Sequence, residues 1–159
     1  AEEKAYAERI KATVSEDDLR TTYANIVSAG GEAAEAYVDG LADKALVEDL
    51  APYSASEALM YGSTDVGDVS WVVPTAQCYV NCFALGTPLH TWQVVAQGRS
   101  SLGHKGMLQA AKVMAGTAVA LLENPAILAR AREELNAATR REPYRCPIPA
   151  DVTPSPLKG

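Results

Sequence analysis

The two histidines are the side chains best suited to chemistry. His90 lies in "TPLHTW" and His104 in "SSLGHKGM", and an imidazole can ligate a metal ion or move a proton near neutral pH. Gly103 and Gly106 would let the backbone beside His104 approach a ligand closely. His104 is therefore the first candidate and His90 the second. The structural alternatives remain open: His104 would only decorate a helix start, and His90, near Trp92, would be packed and hydrogen-bonded.

A second group of polar residues lies in "GSTDVGD". Asp65 and Asp68 are three residues apart and would share a face on a helical turn. Ser63 and Asp65 also have the composition of a helix N-cap, which is the structural interpretation and the one that residue types alone favour. The functional interpretation is that Ser63, Thr64 and Asp65 orient a metal-bound imidazole or a polar group of a substrate.

These residues do not form a complete active site by themselves. A catalytic zinc usually has three protein ligands and a water, and the sequence contains no HExxH, HxH, HxD or cysteine-rich cluster. It has no GxSxG motif either, and "GRSSLG" is not a nucleophile elbow. The chain therefore supplies only part of any site of these kinds.

Helices at both ends and strands in the middle are expected to position these residues. The first helix is predicted from Glu2 to about Thr13. The second would be capped by Ser15 and stop at Gly30–Gly31. Residues 78–84, "CYVNCFA", alternate in period two and predict a strand, and residues 91–98, "TWQVVAQG", predict another. Glycine and proline between them predict a turn.

Two helices are predicted to follow. The apolar residues of the first recur at three-to-four spacing, so one stripe should face a core. That stripe consists of Met107, Ala111, Met114, Ala118, Leu121 and Leu122. Asn124 caps the last helix, with Pro125 at its first position, and it should run to about Ala138.

Together these elements predict an α/β fold in which a short sheet is covered by helices. Residues 1–140 would form one domain, and residues 141–159 a proline-rich, irregular tail. The length of 159 residues suits one domain with a real core.

Composition narrows the function classes. The net charge of −6 argues against a nucleic-acid binder, and no apolar stretch approaches the roughly 20 residues of a membrane span. Cys78 and Cys82 are expected to be small buried hydrophobic residues. With Cys146 they form no CxxC pair, and three cysteines fit a reducing cytoplasm.

The stretch from Gly62 to Pro125, with "GSTDVGDVSWVVPTAQ" and "ALGTPLHTWQVVAQGRSSLGHKGM", resembles the C-terminal third of the p-aminobenzoyl-glutamate hydrolases. These are members of the dizinc aminoacylase/glutamate-carboxypeptidase superfamily. The similarity extends from about Tyr6 to Ala138.

The resemblance implies part of an α/β catalytic domain holding two zinc or manganese ions, with a glutamate as general base. It implies further that a metal-bound water would attack the amide of an N-acyl amino acid. It also implies that His104, just before the C-terminal helix, is the last metal ligand. Gly62, Ser63, Thr64 and Asp65 match a G-[ST]-x-D segment that lines the pocket. The family's HxD pair, adjacent glutamates and dimerising lid domain have no counterpart here.

Two hypotheses follow. The leading one is a segment of a cytoplasmic, metal-dependent amidohydrolase, inactive without its N-terminal part or subunit and homo-oligomeric at full length. Its substrate would be an N-acyl amino acid such as p-aminobenzoyl-glutamate, with neither nucleic acid nor membrane as a partner. The alternative is a non-catalytic α/β module or subunit that binds a partner through exposed apolar surface.

Overall fold

The structure, a computed structural model, describes residues 2–53 and 64–156. Six helices lie in these ranges: α1 (Glu2–Lys11), α2 (Glu16–Asp39), α3 (Val66–Val72), α4 (Trp92–Gln97), α5 (Ser101–Glu123) and α6 (Pro125–Thr139). No residue of the described part is in a strand. The predicted α/β fold with a short sheet is therefore wrong for this part of the chain, which is helical with irregular connections.

The N-terminal helices follow the predicted start signals more closely than the stop signals. The hydroxyl of Ser15 accepts a hydrogen bond from the Asp18 amide at 3.1 Å, which confirms the predicted cap of α2. The predicted end at Gly30–Gly31 is wrong, because α2 continues to Asp39. A glycine inside a helix costs only about 1 kcal/mol relative to alanine. The alanine-rich residues that follow outweigh that cost, and Ala34 is buried.

The predicted strand at residues 91–98 is helix α4. Gln93 and Gln97 are four residues apart, so they share one helical face, and both are buried. The Gln97 side chain donates to the Gln93 carbonyl at 3.1 Å. Two β-branched valines favour a strand locally, but the structure has a helix here, in which Gln97 reaches back one turn to the Gln93 carbonyl.

The predicted strand at residues 78–84 is wrong, because this segment has no regular secondary structure and joins no sheet in the described chain. Two separate hydrogen bonds connect this segment to residues 45–47: the Asn81 amide donates to the Val47 carbonyl at 3.0 Å, and Leu85 N–H to the Ala45 carbonyl at 2.9 Å. The turn that follows is confirmed, with Thr87 N–H donating to the Ala84 carbonyl at 3.1 Å. The alternating pattern therefore predicted a strand that the described part of the chain does not form.

The two C-terminal helices are confirmed, with Pro125 in the first turn of α6. Asn124 occupies the N-cap position, but its side chain makes no capping hydrogen bond. Residues 141–156 contain neither helix nor strand, as predicted for the tail. The stripe expected to face a core is largely exposed, with Met107, Met114 and Leu122 at 59%, 69% and 80%. The sequence identified an apolar face correctly but not what covers it.

The chain divides into two compact units, Ala1–Met60 with Cys78–Ala115, and Tyr61–Gln77 with Gly116–Gly159. In the first unit Ala7, Ile10, Ala84 and Leu102 form a buried cluster. In the second unit α3 and α6 have no buried residue. The predicted boundary after residue 140 stays a prediction.

The cysteine expectation fails in part, since Cys78 is exposed and Cys82 half-buried. Within the described residues, no single helix has both the length and the apolar content to cross a membrane, and only α5 and α6 taken as one sharply bent span would meet that criterion.

Candidate functional site

The connection that leads into α5 is held by one buried amide. Gln97, at the end of α4, has a relative exposure of 0%. Its Oε1 accepts a hydrogen bond from Ala84 N–H at 2.7 Å, and its Nε2 donates to Thr87 Oγ1 at 3.0 Å. One side chain therefore joins the 84–87 turn to α4. A glutamine inside an apolar run is a signal for a buried polar contact. The sequence around Gln97 does not identify the partners of that contact.

Ser100 immediately precedes α5 and fixes the backbone under His104. The Ser100 hydroxyl donates to the Gln97 carbonyl at 2.7 Å and accepts from Gly103 N–H at 3.2 Å. His104 N–H donates to the Ser100 carbonyl at 3.1 Å. The Gly103 N–H, one of the donors that a helix start usually leaves unsatisfied, therefore has a partner.

The glycines beside His104 serve packing rather than ligand approach. A Cβ on Gly103 would lie 2.9 Å from the Gln97 carbonyl oxygen, and a Cβ on Gly106 would lie 2.5 Å from both Asn81 O and Cys82 Sγ. Real Cβ atoms do not come so close. The expectation that these glycines admit a ligand is therefore wrong, since protein atoms already occupy that space.

His104 is the fourth residue of α5, so it lies inside the helix and not just before it as expected, and it is exposed. In residues 2–53 and 64–156 its imidazole has no hydrogen-bond partner. The neighbouring ammonium of Lys105 donates to a Glu3 carboxylate oxygen at 2.8 Å. That hydrogen bond, together with one from Ser101, lowers the pKa of Glu3. The positive charge of Lys105, the residue next to His104, is therefore already paired with Glu3.

His90 is exposed rather than packed, which contradicts its structural interpretation. Its backbone has a φ of 61°, the single positive φ of a non-glycine residue in the described chain. This left-handed conformation is uncommon for residues with a side chain, although histidine is among those that adopt it most often. Just after it, the Thr91 hydroxyl donates to the Pro88 carbonyl at 2.7 Å. The tight turn presents His90 to solvent immediately before α4.

The polar segment before α3 is only partly covered, because Ser63 lies outside the described residues. Asp65 occupies the N-cap position of α3, but its carboxylate makes no capping hydrogen bond. The Thr64 hydroxyl instead accepts from Val66 N–H at 3.3 Å. Capping thus accounts for Thr64 and leaves the exposed Asp65 side chain without a structural role in the part of the chain that is described.

Asp68 has a structural partner that the sequence did not predict. The Tyr144 hydroxyl donates to Asp68 Oδ1 at 2.9 Å. This hydrogen bond is the main reason that the pKa of Tyr144 rises to about 12, with burial and Cys146 adding to it. No local pattern could have predicted a contact across 76 positions of sequence.

Around this contact is an open cavity of about 710 Å³ in the second unit. It is lined by Thr64, Gly67, Asp68, Trp71, Arg141, Glu142, Pro143, Tyr144, Arg145 and Pro147. Two carboxylates and two guanidinium groups balance its formal charge. Its lining therefore favours neither an anion nor a cation.

No group of three metal-ligating side chains converges among the residues that the structure describes. His90 and His104 belong to the first unit, whereas Thr64 and Asp65 belong to the second. The candidates implied by the resemblance thus belong to two units, and the described residues contain no complete set of metal ligands.

Comparison with known proteins gives one result that bears on this site. No family model matches the chain, and no solved structure does. The chain is 48% identical over 158 residues to a protein of Escherichia coli K12 that is named as a subunit of p-aminobenzoyl-glutamate hydrolase. The alignment covers 99% of the chain. This chain is related to that hydrolase.

The resemblance to p-aminobenzoyl-glutamate hydrolases is thereby confirmed. The chain spans 33% of the length of that curated relative, a share consistent with a C-terminal part of a longer protein. Because the match includes 158 residues, both histidines and the Thr64–Asp65 segment lie in a chain that is similar as a whole and not only in a motif.

Proposed function

We propose that this chain is the C-terminal segment of a metal-dependent amidohydrolase that cleaves the amide bond of N-acyl amino acids. The observation that carries the proposal is the 48% identity, over nearly the whole chain, to a protein named as a hydrolase. An identity of this size over 158 residues supports a common fold and related chemistry far more strongly than any motif in the sequence.

The proposed substrate class comes from the same relative, whose name specifies p-aminobenzoyl-glutamate. This compound is an aromatic acyl group joined by an amide to a glutamate, so it is an N-acyl amino acid. We propose the same class of substrate for the complete protein.

His104 is the proposed metal ligand. Its imidazole is exposed, and its backbone is held by the Ser100 contact. The donor chemistry suits zinc or manganese, and the pairing of Lys105 with Glu3 removes part of the repulsion that a cation would meet there. One imidazole is one ligand, so we place the other donors in the rest of the enzyme.

Two bound divalent ions would supply an activated water and would polarise the amide carbonyl. The residues of this chain would hold and position groups: His104 as a donor, and Ser63, Thr64 and Asp65 as the pocket lining. His90 is proposed to contact substrate. Its left-handed backbone, a conformation that costs of order 1–3 kcal/mol and is enriched at functional sites, supports a role for it.

The proposal includes assembly. The relative is named as a subunit, which supports a partner subunit for this protein too. The 159-residue chain by itself is then expected to be inactive. A homo-oligomeric complete enzyme in the cytoplasm remains part of the proposal, in line with the few cysteines of the chain.

The test compares His104→Ala and His90→Ala in the complete, assembled enzyme. For His104→Ala we expect loss of most hydrolysis of p-aminobenzoyl-glutamate and of one of the two metal ions, by elemental analysis. For His90→Ala we expect both ions to remain and the KM to rise. Gln109→Ala, an exposed substitution on the same helix, should change neither quantity.

Unchanged metal content in His104→Ala would remove this residue from the ligand set. If His90→Ala instead loses the metal ion, the imidazole in the left-handed turn is the ligand. If the assembled protein hydrolyses no N-acyl amino acid in a panel with varied acyl groups, the proposed activity is wrong.

A second candidate function, a non-catalytic subunit that binds a partner, is favoured by the exposed apolar residues of α5. The two functions differ in one measurement. Substitution of His104 should abolish hydrolysis by the assembled enzyme in the first case and leave it intact in the second.

A further inference from the structure

Helix α5 carries an apolar stripe that this chain does not cover. We define the outer stripe as Met107, Leu108, Ala111, Met114 and Ala115, all in the first unit. Met107, Leu108 and Met114 are 59%, 58% and 69% exposed, and the two alanines are exposed as well. Three large apolar side chains therefore face solvent within about two turns of one helix.

The spacing of the outer stripe is that of a core-facing surface. Its members follow one another at i, i+1, i+4, i+7 and i+8, so they form one continuous face. The helix also packs elsewhere, since Leu102 and Gly106 are buried, the latter against Asn81 and Cys82. A helix that is apolar on more than one side is typical of the interior of a larger protein.

We propose that the outer stripe is the docking surface for the remaining part of the same hydrolase. The inference rests on the proposed function. The chain spans 33% of the length of its relative, so about two-thirds of that protein is available as the occupant. The occupant is therefore an apolar surface in the two-thirds of the enzyme that correspond to the part of the relative outside this match.

Methionine oxidation tests the proposal without a substitution, because two of the three methionines lie on the outer stripe. Oxidation of Met107 and Met114 by peroxide, followed by mass spectrometry, is compared in the 159-residue chain and in the complete enzyme. We expect oxidation in the complete enzyme to be slower on the order of tenfold, as for side chains reached only through local opening. Equal rates in both proteins would overturn the proposal.

A pair of charge substitutions gives an independent readout. Met114→Glu places a carboxylate on the outer stripe, whereas Gln109→Glu places the same group on an exposed position of α5 outside it. In the complete enzyme we expect Met114→Glu to lower Tm or to prevent assembly and Gln109→Glu to have no such effect. In the 159-residue chain both should leave helix content unchanged.

Sedimentation of the 159-residue chain distinguishes the occupants. A dimer of this chain that Met114→Glu dissociates would show that a second copy covers the stripe, and would overturn the proposal. Because these readouts are protection, assembly and size, they remain valid if the enzyme proves to have a different substrate. If Met107 and Met114 are protected in the complete protein but that protein hydrolyses no amide, the proposed function is wrong and the docking surface is retained.

Discussion

The connection into α5 in the first unit and the start of α3 in the second carry the two groups of candidate residues, and they are held in different ways. Before α5, the fully buried Gln97 side chain joins α4 to the 84–87 turn through hydrogen bonds at 2.7 and 3.0 Å. At α3 no residue is buried, and the main side-chain contact is the one at 2.9 Å between Tyr144 and Asp68.

This difference shows which of the two regions is held in position by buried contacts of the chain itself. A buried amide that loses a partner leaves an unsatisfied group, which costs about 1–3 kcal/mol, whereas water replaces a lost partner at an exposed contact. The backbone around His104 is therefore positioned by the chain itself. The Thr64–Asp65 segment has no comparable support in the described part.

The largest predicted effect concerns Gln97. Gln97→Leu keeps the volume but leaves Ala84 N–H and the Thr87 hydroxyl without their partner. We expect a destabilisation of about 2–4 kcal/mol in urea unfolding. Gln109→Leu, on an exposed position of α5, should change stability by less than about 0.5 kcal/mol. Equal effects of the two substitutions would show that the buried amide is not what holds this region.

A smaller effect is predicted for Gly106. In Gly106→Ala the new methyl group would lie 2.5 Å from Asn81 O and Cys82 Sγ. Overpacking of this kind costs about 1–3 kcal/mol. Gly116→Ala is the matched control, since it lies on the same helix with no atom within 4 Å of the new Cβ, and should stabilise by about 0.5–1 kcal/mol. Thermal unfolding measures both, and the two shifts in Tm should have opposite signs.

The smallest effect concerns the exposed contact of the second unit and depends on pH. Tyr144 has a pKa raised to about 12, from an ordinary value of 10.0. Because the folded protein favours the neutral phenol, the contribution of the hydrogen bond to stability is complete below pH 10 and is lost as the pH rises towards 12. Spectroscopic titration should show a late-ionising tyrosine that is missing in Tyr144→Phe. Asp68→Asn should bring its pKa back towards 10, and no change in Asp68→Asn would exclude this contact as the cause.

The comparison also shows how far the sequence could predict the site. The polar composition around Thr64 identified a helix start, but the residue that accepts the amide hydrogen bond is Thr64 and not Asp65. The glycines beside His104 were identified as close approaches, but what approaches is Asn81 and Cys82 from another segment. In both cases the local signal was real, and its partner could not be read from neighbouring residues.

The sequence by itself determined the Ser15 cap, the proline start of α6, the apolar face of α5 and the relation to p-aminobenzoyl-glutamate hydrolases. These depend on neighbouring residues or on the order of residues along the chain. Only the tertiary structure decided that residues 92–97 are helical and that residues 78–84 pair with no strand in the described chain. Short apolar runs fit a helix or a strand about equally well, so contacts with distant segments, such as Gln97 with Ala84, select between them.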